Sequence, residues 1–203
     1  MSHPLQFALK RLMDVAISAL LLVLLSPVLL LIVVAIKLTS PGPVFYRPRW
    51  VVLNERVIDG YKFRTMVANA MEMETALRAR NEMRGPAFKI TNDPRVTPVG
   101  RFLRKYSLDE LPQLWCVLIG DLSLVGPRAP QLHEFERMTP FQKRKLTVTQ
   151  GITCLWQIGG RHRINDYDQW VQKDLDYIQS WSFWLDIKIL FLTIPVVIRG
   201  SGV

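Results

Sequence analysis

The chain has 203 residues, 49% of them hydrophobic and 21% charged, which suits one medium domain or a domain with an appendage and excludes disordered, collagen-like and disulfide-stapled architectures. Lys and Arg total 26 against 17 Asp and Glu, a net charge of +9 that favours anionic partners such as phospholipid, nucleic acid or phosphorylated substrates. The two cysteines, Cys116 and Cys154, have no CxxC spacing and no paired histidines, so they fit a reducing compartment and offer no structural zinc site.

The apolar excess sits at the start. Val15 to Ile36 is a run of 22 residues without a charge. As a straight helix it measures roughly 33 Å, enough to cross a bilayer core. The run exceeds a signal-peptide h-region, and Lys37 to Pro41 is a poor cleavage site. Ser26-Pro27 falls at mid-run, where proline gives no N–H and clashes with the Val23 carbonyl, so a kink is expected. Both flanks are basic, Lys10 and Arg11 before, Lys37, Arg47 and Arg49 after, which favours keeping both ends in the cytoplasm. The pattern alone leaves a kinked span and a re-entrant hairpin equally open.

Thr39-Ser-Pro-Gly-Pro43 is a turn cluster that closes this segment. Val44 to Tyr46, Trp50 to Leu53 and Arg56 to Ile58 read as short strands, with a turn at Asp59-Gly60 before Tyr61-Lys-Phe-Arg64, so a small β-hairpin region is expected. Met66 to Met83 predicts a helix stopped by Gly85-Pro86, and Asn92-Asp-Pro94 a turn with Asp93 as a turn residue. Ser107 to Ile119 predicts a helix, with Ser107 and Glu110 as its capping box. Thr139-Pro140 opens another. Asn165 is the expected cap of a helix with Trp170, Val171, Leu175 and Ile178 on one face. Trp181 to Ile198 is apolar but holds Asp186, Lys188 and Pro195, so it is expected to lie on the membrane surface or cover the core. His133 and His162 are isolated, and both cysteines read as buried thiols. Walker and GxGxxG motifs are missing.

Asp109-Glu110 is the most informative pair. Acids in a first helical turn suit the helix dipole and are common caps. Here they stand among Arg101, Arg104 and Lys105, and a Val125-Gly-Pro-Arg-Ala-Pro130 loop follows. Carboxylates among cations stay ionised, as a nucleophile or a Mg²⁺ ligand must. Arg128 between two prolines suits a phosphate. Lys62 and Arg64 alternate around Phe63 and can face one side of a strand, and Arg161 follows two glycines.

Asn92-Asp-Pro-Arg-Val-Thr-Pro-Val-Gly-Arg-Phe-Leu-Arg-Lys-Tyr-Ser-Leu-Asp-Glu-Leu-Pro-Gln-Leu-Trp115, followed by Gly120-Asp-Leu-Ser-Leu-Val-Gly-Pro-Arg128, resembles the bacterial sugar transferases, the monotopic phosphoglycosyl transferases. Lys10-Arg-Leu-Met-Asp14, Pro41 to Phe45, Lys62 to Met66, Gly151 to Gln157 and Trp181 to Lys188 match as well, so the resemblance covers nearly the whole chain. It implies an α+β, mostly helical fold: a re-entrant membrane helix over 1–38, broken at Ser26-Pro27, then a catalytic domain over 39–203 with a C-terminal membrane-surface segment. It implies transfer of a sugar 1-phosphate from a UDP-sugar to undecaprenyl phosphate with Mg²⁺ at the bacterial inner membrane, cytoplasmic side, as a first step of glycoconjugate synthesis. Asp109 would be nucleophile and metal ligand, and Glu110 its catalytic companion. Lys62, Arg64, Arg104, Arg128 and Arg161 would bind substrate. Membrane lipid is an expected partner, a homodimer stays open, and nucleic acid is not expected. The chain departs from the family pattern in lacking glycines over Trp50 to Val57, in Cys116, in Ala129-Pro130 and in Gly159-Gly-Arg161. The competing reading is a non-catalytic basic membrane scaffold, in which Asp109 and Glu110 are only caps.

Overall fold

Pro27 breaks the apolar run as expected. In the computed structural model, which describes residues 4–159 and 164–200, the run forms α1 (Pro4–Leu24) and α2 (Ser26–Thr39), bent by 60°. Pro27 has no N–H for the Val23 carbonyl, and the Ser26 hydroxyl donates to it instead at 2.8 Å. Backbone bonding continues on either side, Leu25 N–H to Leu21 and Leu29 N–H to Leu25. Among the described residues no single helix is long and apolar enough to cross a membrane, while this bent pair passes that test together.

Four short strands follow: β1 (Phe45–Tyr46), β2 (Arg49–Val52), β3 (Arg56–Asp59) and β4 (Lys62–Phe63). β2 and β3 form the expected antiparallel hairpin, and β1 pairs antiparallel with β4, Phe45 opposite Phe63. The expected helix over 66–83 is shorter, α3 (Ala70–Leu77) with a 3₁₀ turn at Arg78–Arg80. At its start Met66 bridges to Val96 and Val67 N–H bonds Arg95. At its end the Asn81 side chain bonds the backbone of Met83, Ala87 and Lys89, a local alternative to continuing the helix.

Thr97 caps α4 (Pro98–Lys105) through the Gly100 N–H. The expected helix over 107–119 is divided into a 3₁₀ turn at Leu108–Glu110 and α5 (Gln113–Ile119). Ser107 is left-handed, φ 54°, and makes no side-chain cap, so the expected capping box does not form. An N-cap needs extended backbone, and Pro112 forces a fresh helical start.

β5 (Ser123–Val125), α6 (Leu132–Phe135), α7 (Pro140–Lys143), β6 (Gly151–Thr153), α8 (Leu155–Ile158), α9 (Tyr167–Ser180) and α10 (Phe183–Ile198) complete the chain order. β5 and β6 form a parallel pair that no sequence pattern announces. Thr139 and Gln142 build the capping box of α7, and Asp166, one residue beyond the expected Asn165, caps α9.

The main core joins Trp50, Val52 and Ile58 of the hairpin to Leu114 and Val117 of α5, Leu124, Tyr177 and Ile189. A second cluster packs beneath α9, where Trp170 stacks on Trp156 at 4.5 Å. Trp170, Val171 and Leu175 are buried as the helical pattern predicts. Both cysteines are buried, and burial pushes the Cys116 thiol up to about 11. Lys145 and Asp174 form a fully buried pair at 2.6 Å.

Polar residues of α1 bind it to this core. Lys10 donates to Asp186 at 2.6 Å and to the Val125 carbonyl at 2.7 Å. Asp186, fully buried on α10, also accepts from Tyr177 at 2.7 Å and from the Trp181 indole. Asp14 accepts the Leu124 N–H at 3.0 Å. Arg11 donates to the Val117 and Leu118 carbonyls, at 2.6 and 2.8 Å, in the last turn of α5. α10 therefore covers the core through Asp186 and Ile189 while Trp184, Phe191 and Ile198 face outward.

Asp186→Asn leaves the Lys10 ammonium unpaired at a buried position. The expected loss is about 3–5 kcal/mol of stability, read by thermal or denaturant unfolding in detergent. The apolar double replacement Lys10→Met with Asp186→Leu is expected to recover much of that loss, because it removes both desolvation costs.

Candidate active site

The turn Leu108–Glu110 sits between the end of α4 and the start of α5. Left-handed Ser107, whose N–H bonds the Arg104 carbonyl at 2.9 Å, reverses the chain there. The next residues present two adjacent carboxylates, Asp109 buried and Glu110 partly exposed.

Cations from two elements act on this pair, and a third stands on a neighbouring loop. From β4, Lys62 bonds Glu110 at 2.6 Å, and its ammonium lies 5.6 Å from the Trp50 ring centre. From α4, Arg104 lies in the field of both carboxylates and is steadied by a bond from Nε to the Thr65 hydroxyl at 2.9 Å. Burial lowers the Arg104 pKa, with Asp109 the strongest opposing influence, followed by Asp93 and Glu110. From the loop after β5, Arg128 forks onto Glu134 at 2.9 and 3.3 Å. Burial opposes the Arg128 charge, yet Glu134, with a further contribution from Glu110, raises its pKa. Burial likewise opposes ionised Glu134, but Arg128 and the Gln131 N–H hold its carboxyl below the usual range.

The Arg128 loop is fixed from behind. Gly126 N–H bonds Thr153, and Gly151 N–H bonds Pro127 at 2.9 Å. A Cβ on Gly126 would stand 2.5 Å from the Thr149 carbonyl oxygen, so the loop crosses the start of β6 too closely for any side chain. Glu134 escaped the sequence reading. Its signal was the three-residue spacing from Gln131 to Glu134, which forms a reciprocal capping box at α6.

Asp93 is a turn residue, as expected: it accepts the Arg95 N–H at 3.0 Å and grips the Arg95 guanidinium, which also reaches Glu74. Burial opposes its charge, but these bonds and the Arg95 charge lower its pKa. This ion pair lies in the field of Arg104 and backs the site.

Arg64 is not brought to the carboxylates. Its guanidinium donates to the Ser40 carbonyl and hydroxyl, at 2.9 and 2.8 Å, and to the Pro41 carbonyl. The residue is buried and fastens the turn where α2 ends, and Gly42, φ 113°, passes against it. Its terminal nitrogens are taken up by Ser40 and Pro41. Arg161 and His162 lie outside the described residues, and His133 is exposed.

Among the described residues no three His, Cys, Asp or Glu side chains come together as a metal-binding group. Asp109 and Glu110 still supply adjacent hard oxygen donors, which fits the habit of Mg²⁺ of taking one or two carboxylates together with phosphate oxygens.

The sequence matches the family model described as bacterial sugar transferase over residues 5–200. It is 43% identical over 193 residues to a galactosyl transferase, CpsE, of Streptococcus agalactiae serotype III, covering 95% of this chain and 43% of the relative. It is 43% identical over 199 residues to an undecaprenyl-phosphate galactose phosphotransferase of Salmonella typhimurium, covering 96% and 41%. It is 40% identical over 193 residues to the UDP-glucose:undecaprenyl-phosphate glucose-1-phosphate transferase of Escherichia coli K12, covering 92% and 39%. The chain thus spans about two fifths of the length of these curated relatives. With nearly the whole sequence inside the family model, the chain belongs to the bacterial sugar transferases.

Proposed function

We propose that this chain is a phosphoglycosyl transferase that moves a sugar 1-phosphate from a UDP-sugar to undecaprenyl phosphate at the cytoplasmic face of the bacterial inner membrane. The observation that carries the proposal is the buried Asp109, set beside Glu110 with Lys62 on Glu110 and Arg104 in the field of both, next to Leu108, which packs against the cluster holding Ile32 and Ile36 of α2. The names of the Salmonella and Escherichia relatives supply the acceptor class and, for the latter, the donor class. The product would serve exopolysaccharide, capsule or O-antigen synthesis.

In this mechanism an Asp109 carboxylate oxygen attacks the β-phosphorus of the donor. The bond from that phosphorus to the bridging oxygen breaks, UMP departs with the electron pair, and an aspartyl-phosphosugar remains. A phosphate oxygen of the acceptor then attacks the same phosphorus and frees the Asp109 carboxylate, giving the polyprenyl diphosphate sugar. Glu110 takes the proton of the acceptor phosphate when that group arrives protonated. Dividing the transfer into two displacements is covalent catalysis. Arg104 and Arg128 offset charge on the phosphoryl oxygens, and Lys62 keeps Glu110 in place. Asp109 and Glu110 would hold Mg²⁺ together with donor phosphate oxygens, and the ion, when bound, would neutralise diphosphate charge.

On the competing scaffold reading the two acids are replaceable helix-terminal residues, and substitutions at Asp109 that leave transfer intact would favour it.

Asp109→Asn is expected to abolish transfer and the UMP burst seen when enzyme meets UDP-sugar without acceptor. Glu110→Gln is expected to keep the burst and slow the second step. Rapid-quench assays with UDP-galactose and UDP-glucose check both, and an adduct mapped by mass spectrometry to Glu110 in place of Asp109 overturns the assignment.

Arg128→Lys keeps the charge but loses the fork that spans Glu134. Turnover is expected to fall about tenfold or more, at least ~1.4 kcal/mol of transition-state stabilisation. Unchanged kinetics in the folded variant removes Arg128 from the site.

Single cysteines at Ser2 and at exposed Leu38 are expected to react with an impermeant maleimide from the same side of inverted vesicles. Labelling from opposite sides shows a span and refutes the re-entrant topology.

A further inference from the structure

An apolar groove runs between α2 and α4. Its one wall is a helical face of α2, Val28, Leu31 and Ala35, at the three- and four-residue spacing of a single stripe. Its other wall is Val99 and Phe102 of α4, and it ends on Leu108, the residue before Asp109. The cavity measures about 550 Å³, within the range of ligand sites, and its surface is almost wholly apolar. The floor is the buried cluster Ile32, Ile36, Phe63 and Leu103. Leu31 and Phe102 are 69% and 57% exposed, so the groove opens along its length to the surroundings of α2.

The two ends differ in character. One follows the apolar helix pair. The other is lined by Leu108, which in sequence immediately precedes Asp109 and Glu110, where Arg104 lies in the field of both acids and Lys62 bonds Glu110. α4 divides the same way: Val99, Phe102 and Leu103 line the groove, while Arg101, Arg104 and Lys105 carry its positive charge. An amphiphile with one apolar chain and an anionic head matches this gradient, because the chain is desolvated along the wall while the head meets guanidinium and ammonium groups.

We propose that this groove seats the isoprene units of the polyprenyl phosphate acceptor nearest its phosphate, and so delivers that phosphate to Asp109. The inference rests on the transferase reading above and adds to it the residues that hold the acceptor chain. A phospholipid acyl chain is the competing occupant. A phospholipid brings two chains where the groove offers one apolar stripe of α2 facing α4, whereas the polyprenyl phosphate brings a single chain. The groove volume suits the units next to the head, with the rest of the chain left in the bilayer.

Ala35→Phe fills the groove from the α2 side, and Val34→Phe, on an exposed position outside the groove, is its control. With the UDP-sugar that supports turnover, Ala35→Phe is expected to raise KM for undecaprenyl phosphate at least tenfold while the acceptor-free UMP burst persists. Val34→Phe is expected to change neither. Wild type is expected to lose kcat/KM when the acceptor is shortened to a single isoprene unit, and Ala35→Phe to lose that preference. An unchanged acceptor KM in Ala35→Phe, with the burst intact, overturns the groove assignment alone. Absence of a burst in wild type refutes the covalent transferase reading instead. Should Ala35→Phe fail to fold, a photoreactive benzoylphenylalanine at Leu31 takes its place in vesicles containing undecaprenyl phosphate. Crosslinking to undecaprenyl phosphate supports the proposal, and crosslinking to phospholipid alone refutes it.

Discussion

Asp186 is the constraint on which the arrangement turns. It is wholly buried and accepts from Lys10, Tyr177 and Trp181, so one carboxylate gathers α1, α9 and α10. A lone carboxylate inside a core is costly, and the three donors are what make its burial tolerable. The same ammonium of Lys10 reaches Val125 at the start of the Arg128 loop. Where α1 sits therefore governs where that loop sits. Since α2 leaves α1 at a fixed bend, the docking of α1 also decides how α2 faces α4. The apolar groove and the cationic loop are in this sense positioned by one buried ion pair.

Charge in the candidate site is layered. Lys62 and Arg104 face the acidic pair, and behind them Asp93 with Arg95, and Glu134 with Arg128, hold guanidinium groups in place. A rigid array needs no reorganisation when an anion arrives, which is the condition under which electrostatic stabilisation of phosphoryl transfer is strongest. The cost is a chain rich in buried charge, and it is visible in the pair Lys145–Asp174, each only 1% exposed.

Much of this was legible in the sequence. The break at Pro27, the β2–β3 hairpin, the buried face of α9 and the grouping of Asp109-Glu110 with Arg104 all follow from local signals: a missing donor, alternation, helical spacing, a cluster of charge; the approach of Lys62, 48 residues upstream of Glu110, does not. What was not legible depends on distance or on backbone detail. The left-handed turn at Ser107 looks in sequence like an ordinary cap, because Ser-x-x-Glu fits both. The parallel strands β5 and β6 are three residues each, too short for periodicity to show. Arg64 alternates with Lys62 as a ligand-facing pair does, yet the turn at Ser40 and Pro41 claims it. Lys10 and Arg11 read as flanking charges, while their partners lie more than 100 residues away.

Arg11 gives α5 a consequence in time. Its guanidinium supplies the donors for two carbonyls at the end of a helix made 106 and 107 residues later, a service usually performed by residues next door. α5 has only two turns and little stability of its own. During synthesis α1 is made long before α5 emerges from the ribosome, so the donors for the end of α5 precede it in the chain. The turn bearing Asp109, immediately upstream of α5, then acquires its final shape against a helix made well before it. Completion of the acidic pair is thereby tied to the docking of α1, and a chain whose first helix stayed undocked would be left with an unfinished centre.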